Sequence, residues 1–471
     1  MEESIVREFR DLLDPILDQA TFGSLSPAQL RDVFKRNEWH DEEKDSTRGA
    51  QPHIPDELLS QLTNCLRSLL EEFIDSKTDH IGHAFPVDAQ RSYPIDRNHG
   101  LRRETFQPNG LLSIACVTMV EDFAKGLIKG AAVVGSERVT QLLSGWLRGK
   151  PIKYRTMALL NGLPVNESLA PGYGVGIEPL PLSTDALSAN LPRPRGVSAA
   201  DYLGRTTVSI DSSVAPALFH PQTEPSLKGV QANSVGDVDF DTVCQALSLE
   251  SDSYMDTAFF WNDYQELAAF SLTGGESTWS TGNAYVKTRS TPMSRSIDLS
   301  TGVIKLEPMN DQRMPDLSDS QVARTLKALK ILSKSDKTRI AVSRWVKSKD
   351  SGENLVDRFI DLRIALESLY LQNISDDKYR GEMRFRLALA GAWHLGTDFE
   401  ERKKIFRSLR DAYDVASKAV HSGDLEYSEN QQLLSTTQDL CRCGILKLLR
   451  GGPPSDWGNL LLGVDCEKES I

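Results

Sequence analysis

The chain has 471 residues, 39% of them hydrophobic and 25% charged, with 54 Lys and Arg against 66 Asp and Glu for a net charge of −12. That length fits about two to four domains, the composition is that of a folded globular protein, and the acidic balance excludes a surface that coats nucleic acid all over while leaving room for a local basic groove. No apolar run approaches the roughly 20 residues that span a bilayer, the start Met1-Glu2-Glu3-Ser4 is acidic where a signal peptide is basic, and six scattered cysteines suit reduced thiols, so the expectation is a cytoplasmic protein with no membrane contact, metal or cofactor.

Residues 2–19 read as a helix with Ile5, Phe9, Leu12, Leu13 and Ile16 on one face, kinked or shortened by Pro15. Ser26-Pro27 marks a second helix start, continued by Leu30, Val33 and Phe34, before a polar loop from Trp39 to Pro55. The next helix runs to about Ile74 and repeats Leu58, Leu62, Cys65, Leu66, Leu69 and Phe73 behind an acidic first turn. From Asp75 to Gly110 the text is irregular. His80 and His83 with Asp75 and Asp79 are metal-ligand types without a full ligand set, and a surface loop is the simpler reading. Helical spacing returns from Leu111 to Leu147 with a break at Gly135, which closes a helical N-terminal region over 1–150.

Over 151–318 the period shortens. Thr206-Thr207-Val208-Ser209-Ile210, Ala284-Tyr285-Val286-Lys287-Thr288 and Val303-Ile304-Lys305-Leu306 read as strands in a mixed β-containing region. Gly172-Tyr173-Gly174-Val175-Gly176 lacks the Gly-Lys-Ser/Thr ending of a phosphate loop and reads as a turn. A basic helical connector follows over 319–349, with Val322, Leu326, Leu329 and Leu332 on its apolar side. Its cations form either a solvated face or a phosphate-contacting surface, for which Lys334, Lys337, Arg339 and Arg344 are candidate RNA contacts. Lys349-Asp350-Ser351-Gly352-Glu353 reads as a linker.

Residues 350–450 carry four helical segments with short connections, the pattern of an up-and-down bundle, ahead of a tail over 451–471. The fold class is therefore α+β, with a mainly helical N-terminal region, a β-containing middle and a C-terminal helical bundle. The third of these segments, Phe399 to His421, has apolar or small residues at 405, 406, 409, 412, 413, 416, 419 and 420. Beside them runs a polar row of Arg410, Asp414, Ser417, Lys418 and His421 at spacings of three and four.

The strings Asp357-Arg358-Phe359-Ile360-Asp361-Leu362-Arg363-Ile364-Ala365-Leu366-Glu367-Ser368-Leu369-Tyr370, Glu382-Met383-Arg384-Phe385-Arg386-Leu387-Ala388-Leu389-Ala390, Ala412-Tyr413-Asp414 and Ser417-Lys418-Ala419-Val420-His421 resemble the Apea-like branch of the HEPN superfamily. The resemblance implies a HEPN-like bundle, homodimerisation through it, a role in prokaryotic antiviral defence, and in many members metal-independent endoribonuclease activity. It also implies a motif of Arg-Ser-Lys-x-Val-His, in which His moves a proton near neutral pH and Arg steadies charge on the phosphoryl oxygens.

Here that motif reads Ala416-Ser417-Lys418-Ala419-Val420-His421, with alanine in the arginine position. Loss of a preorganised cationic donor costs roughly 10² to 10³ in rate by analogy with oxyanion-site deletions. Lys418 is one substitute and Arg410 another, although Arg410 lies about 16 Å from His421 along a helix axis at about 1.5 Å per residue. Two readings follow. One is a degenerate module that binds RNA or a nucleoprotein, with Ser417 and Asp414 among its contacts; the other is a ribonuclease using His421 as acid/base with Lys418 or Arg410 as clamp.

Overall fold

The fold is α+β in the computed structural model, which describes residues 2–22, 26–29, 52–74, 114–162, 165–181, 183, 202–214, 233–234, 238–263, 293–298, 300–301, 303–308, 316–333, 335–371, 382–423, 425–454, 457 and 460. The expected strand at 284–288, the cluster of Asp75, Asp79, His80 and His83, most of the helix expected after Ser26, and Lys334 lie outside the described residues. Among the described residues no helix is long and apolar enough to cross a membrane.

The N-terminal helices are α1 (Glu2–Gln19), α2 (Asp56–Ile74), α3 (Ile114–Val134) and α4 (Ser136–Leu147), with the short antiparallel pair β1 (Thr21–Phe22) and β2 (Pro52–His53). Their apolar stripes meet in one cluster, where Phe9, Leu13, Leu66, Phe123, Leu143 and Trp146 are all at most 1% exposed. Burial of each such side chain contributes roughly 1.5–3 kcal/mol. Pro15 sits inside α1 without ending it. Gly135, at φ 93°, takes the left-handed conformation that lets the chain stop α3 and restart at once as α4.

The middle region forms an antiparallel sheet from β3 (Ile152–Asn161), β4 (Leu169–Gly172), β5 (Val175–Pro179), β6 (Thr206–Val214), β7 (Asn233–Ser234) and β8 (Asp256–Asp263). The spatial order is β4-β5-β6-β3-β8, with β7 on β6. β9 (Met293–Ile297) and β10 (Ile304–Pro308) pair separately. The Gly-rich stretch at 172–176 is the turn of the β4–β5 hairpin, with Tyr173 at φ 57° and Gly174 at φ 70°. Two successive positive φ values match the right-handed twist of the strands. Helix α5 (Phe240–Ser251) contributes Val243 and Leu247 to the same core as Ala158, Leu160, Val208 and Ile210 of the sheet.

Where one helix was expected over 319–346 there are two, α6 (Asp319–Lys330) and α7 (Lys337–Ser348). Asp336 caps α7 by accepting from Thr338 N at 2.8 Å, and a polar Ser-Asp turn of this kind stabilises a new helix start better than continuation of the old one. The stretch expected as a linker after α7 is a held turn. Asp350 is 3% exposed, and Lys349 Nζ lies 2.8 Å from Asp252 Oδ1.

The C-terminal helices are α8 (Leu355–Tyr370), α9 (Met383–Leu395), α10 (Phe399–Ser422) and α11 (Tyr427–Gly451). α7 packs on α8 and α11 as a further member of this assembly. Its Trp345 is fully buried and donates Nε1–H to the Gln438 carbonyl at 2.9 Å, while Gln438 Nε2 donates to the Ser348 carbonyl at 2.6 Å. One continuous buried cluster joins the sheet, α5 to α7 and the C-terminal helices, and a second, separate one lies in the N-terminal region.

Candidate functional site

α10 starts at Asp398, whose carboxylate accepts from Glu401 N at 2.9 Å, and ends at Gly423, at φ 69°. Its 24 residues bury Ile405, Leu409, Ala412, Ala416 and Ala419. The small side chains of this stripe admit close neighbours, and Leu409 meets the backbone of Gly391 on α9. The expected apolar face was wider. Phe406 and Tyr413 are half-buried, flanked by Phe385 of α9 and Arg363 of α8, and Val420 is 54% exposed.

The polar row stands outside this stripe, and two of its members, Arg410 and Asp414, have separate partners. His421 lies exposed in the last turn, where the helix dipole favours a cation, and Lys418 is exposed one turn before it. Ser417 is half-buried. Arg410 folds onto its neighbour Asp411, with Nε and Nη2 at 3.3 and 3.2 Å from Oδ1. Asp414 accepts from Arg384 Nη1 at 2.7 and 2.8 Å, a pair that raises the guanidinium pKa by hydrogen bonding and then by charge. The structure therefore brings Asp414 together with Arg384, and leaves Arg410 with Asp411 instead of His421. Arg384 is the cation that sequence reasoning missed as a site residue, since its partner is 30 positions away.

Ala416 is 1% exposed, so the position where the motif would place arginine points into the packed interior. On the α8 side, Arg363 Nε donates to Glu367 Oε1 at 2.8 Å and Nη2 donates to the Tyr413 hydroxyl at 2.9 Å, with the guanidinium 4.4 Å from the Tyr413 ring centroid. Burial, against the charge of Arg363, raises the Tyr413 pKa. The crevice between Phe359, Arg363, Tyr413 and Thr437 encloses about 10 Å³, room for about one water molecule. A nucleotide does not fit there.

In the connector the cations divide into two sets. Arg339 is drawn inward, donating to the Leu329 carbonyl at 3.0 Å and to Thr242 Oγ1 at 2.6 Å beside Asp239. Arg344 pairs with Asp361 at 2.7 Å. Lys337 and Lys347 are exposed on α7, and Arg324, Lys327 and Lys330 are exposed on α6. Of the expected RNA contacts in this stretch, then, Lys337 faces solvent while Arg339 and Arg344 join neighbouring elements.

No family model, curated protein or solved structure matches the chain. The site's chemistry is accordingly that of its own residues. His421 is exposed, Lys418 and the Arg384–Asp414 pair share its helix face or adjoin it, and Ala416 supplies no polar group. Among the described residues no group of three or more His, Cys, Asp and Glu is placed to hold a metal ion.

Proposed function

We propose that this is a cytoplasmic protein of antiviral defence that binds RNA or a nucleoprotein, and that its C-terminal helices form a degenerate HEPN-like module for binding and homodimerisation. The observation that carries this reading is the burial of Ala416 at 1% exposure. A nuclease of the resembling type needs a cation there to steady the phosphoryl oxygens, and this position is both apolar and closed to solvent. Dimerisation is supported by apolar surface on α9 and α10, where Phe385, Phe399 and Val420 are 56%, 72% and 54% exposed and Phe385 packs edge-on against Phe406 at 5.5 Å.

The second reading is a metal-independent endoribonuclease with His421 as acid/base and Lys418 or Arg410 as clamp. Its favouring observation is the exposure of His421 and Lys418 within one turn of each other. The two separate on incubation of the full chain with total RNA and tRNA in chelator, beside a His421→Ala variant. Retained RNA binding without cleavage is expected. Cleavage by the parent and none by the variant would replace the first reading with the second.

A further inference from the structure

α10 carries two rows outside its buried stripe, and both repeat every seventh residue. The first is apolar: Phe399, Phe406, Tyr413 and Val420, of which Phe399 and Val420 are 72% and 54% exposed and the other two half-buried. The second runs beside it, one residue on, and alternates in charge type: Glu400, Arg407, Asp414 and His421, all exposed. The buried stripe of Leu409, Ala412 and Ala416 lies about a quarter-turn from the apolar row at roughly 3.6 residues per turn, so the row does not belong to the bundle core. An apolar residue at every seventh position is the seam spacing by which one helix packs lengthwise on another. From Phe399 to Val420 the seam is about 32 Å long at about 1.5 Å per residue. Phe385 of α9 widens it, edge-on to Phe406 at 5.5 Å.

The order of the charged row decides what fits the seam. From the start of the helix it runs acid, base, acid, base, and from the end it runs base, acid, base, acid. A second α10 laid antiparallel therefore sets Glu400 against His421 and Arg407 against Asp414, whereas a parallel one sets like against like. The same arrangement brings Phe399 over Val420 and Phe406 over Tyr413. Lys418 joins His421 at the basic end, and the helix opens with Asp398, Glu400 and Glu401, so opposed macrodipoles favour the same direction. Glu400 pairs with Lys403 and Asp414 with Arg384 inside one chain, and Arg410, beside the two-fold axis, is offset by Asp411. These pairs lie at the surface, where ion pairs are weak enough to be shared or exchanged. Arg407, Lys418 and His421 make no ion pair among the described residues.

We infer that α10 pairs antiparallel with α10 of a second copy of the chain, Phe399 on Val420 and Phe406 on Tyr413, with Glu400 closing over Lys418 and His421. This rests on the homodimer reading above and gives it a helix, a direction and a register. It also covers the His421 end in the dimer instead of adding a group to it. A phosphate chain fits this face poorly, because acids interrupt its cations at every second step. An unrelated helix would match the reversed charge order only by coincidence.

The test is sedimentation velocity of the full chain over a concentration series, with circular dichroism melts to establish that each variant folds. Phe399→Ser with Val420→Ser, both at exposed positions, is expected to weaken the dimer about tenfold or more. Glu400→Lys and Lys418→Glu are each expected to weaken it about threefold or more at low salt, and the two together to bring it back to within about twofold of the parent. For direction, chains carrying Phe399→Cys are mixed with chains carrying Val420→Cys under mild oxidation. The mixture is expected to form a disulfide-linked pair that neither variant forms alone. Variants that leave the dimer unchanged would overturn this inference and leave the homodimer reading standing through another face. Linkage of Phe399→Cys chains to one another as fast as in the mixture would overturn the direction. A parent that stays monomeric at every concentration would overturn both readings, and loss of its RNA binding in the Phe399→Ser, Val420→Ser variant would then assign the face to RNA.

Discussion

Ala416→Arg puts back the residue that the HEPN resemblance expects, and the bundle makes a definite forecast for it. Ala416 is 1% exposed on the stripe of Leu409, Ala412 and Ala419. Forcing a long side chain into that stripe costs about 1–3 kcal/mol in overpacking. The guanidinium adds several kcal/mol if it stays unpaired among apolar groups, and less if its stem lets it reach water. A total loss of about 3–5 kcal/mol is expected, which at about 2–4 °C per kcal/mol for a body of 150–250 residues lowers the melting temperature by roughly 10 °C. Ala416→Met carries the overpacking without the charge and is expected to lose about 1–3 kcal/mol. Thermal melts of the full chain and RNA cleavage in chelator measure both halves of the argument. An Ala416→Arg protein as stable as the parent that cleaves RNA, and stops when His421 is also changed, would refute it.

Three further outcomes concern the interior. His394 is 5% exposed, and burial, with the nearby Lys447 charge, lowers its pKa from 6.5 to about 4. Between those values the unfolded chain takes up a proton that the folded one refuses, so this contribution to stability is complete above about pH 6.5 and is lost as the pH falls towards 4. Its limit is about 3 kcal/mol at 1.36 kcal/mol per pH unit, and His394→Phe should narrow the gap in urea midpoint between pH 7 and pH 4.5; an unchanged gap would rule this contribution out. Arg339→Met, at a side chain 12% exposed, should cost about 2–3 kcal/mol through its lost bonds to Leu329 and Thr242, whereas Lys347→Gln on the exposed face should stay within about 0.5 kcal/mol by the same urea titration. Gly444→Ala brings a methyl group against the buried Tyr370 hydroxyl, itself 3.4 Å from His394 Nδ1. The clash at about 1–3 kcal/mol should exceed the gain of up to about 1 kcal/mol from better helix propensity, and Tyr370→Phe in the same chain should recover part of the loss.

The helices were legible in the sequence because each repeats its apolar residues at 3.6-residue spacing, and α10 runs where that spacing places it. Periodicity reports which residues share a side. It does not report how much of that side a neighbour covers, which is why Phe406, Tyr413 and Val420 share the apolar spacing of Leu409 and Ala416 although only the second set is fully buried. The same limit governs the cations. Arg339 and Lys327 are alike in a list of charges, and only the approach of Thr242, 97 positions earlier, makes Arg339 an internal tie. The break between α6 and α7 falls at Ser333, Ser335 and Asp336, cap formers whose effect an apolar repeat on either side conceals. Arg384 was visible in the sequence too, but its pairing with Asp414 depends on the crossing of α9 and α10.

Those long-range ties decide how α6 and α10 relate mechanically. Arg339 of α7 holds the first turn of α5 through Thr242 and Asp239, and Arg442 of α11 donates to the carbonyls of Leu249 and Glu250 at its other end, where Arg450 also pairs with Glu250 at 3.1 Å. Cations on the last carbonyls of a helix complement its dipole, so α5 is fastened at both ends to helices of the C-terminal assembly. α6 packs on α5, on the β4 edge of the sheet and on α11. The stretch expected as a connector therefore contributes to the shared core, and α6 and α10 ride on elements packed around it. Between α6 and the His421 end of α10 the described residues of α5, α7, α8 and α11 belong to one packed core, so a displacement of one helix reaches the other through side chains already in contact.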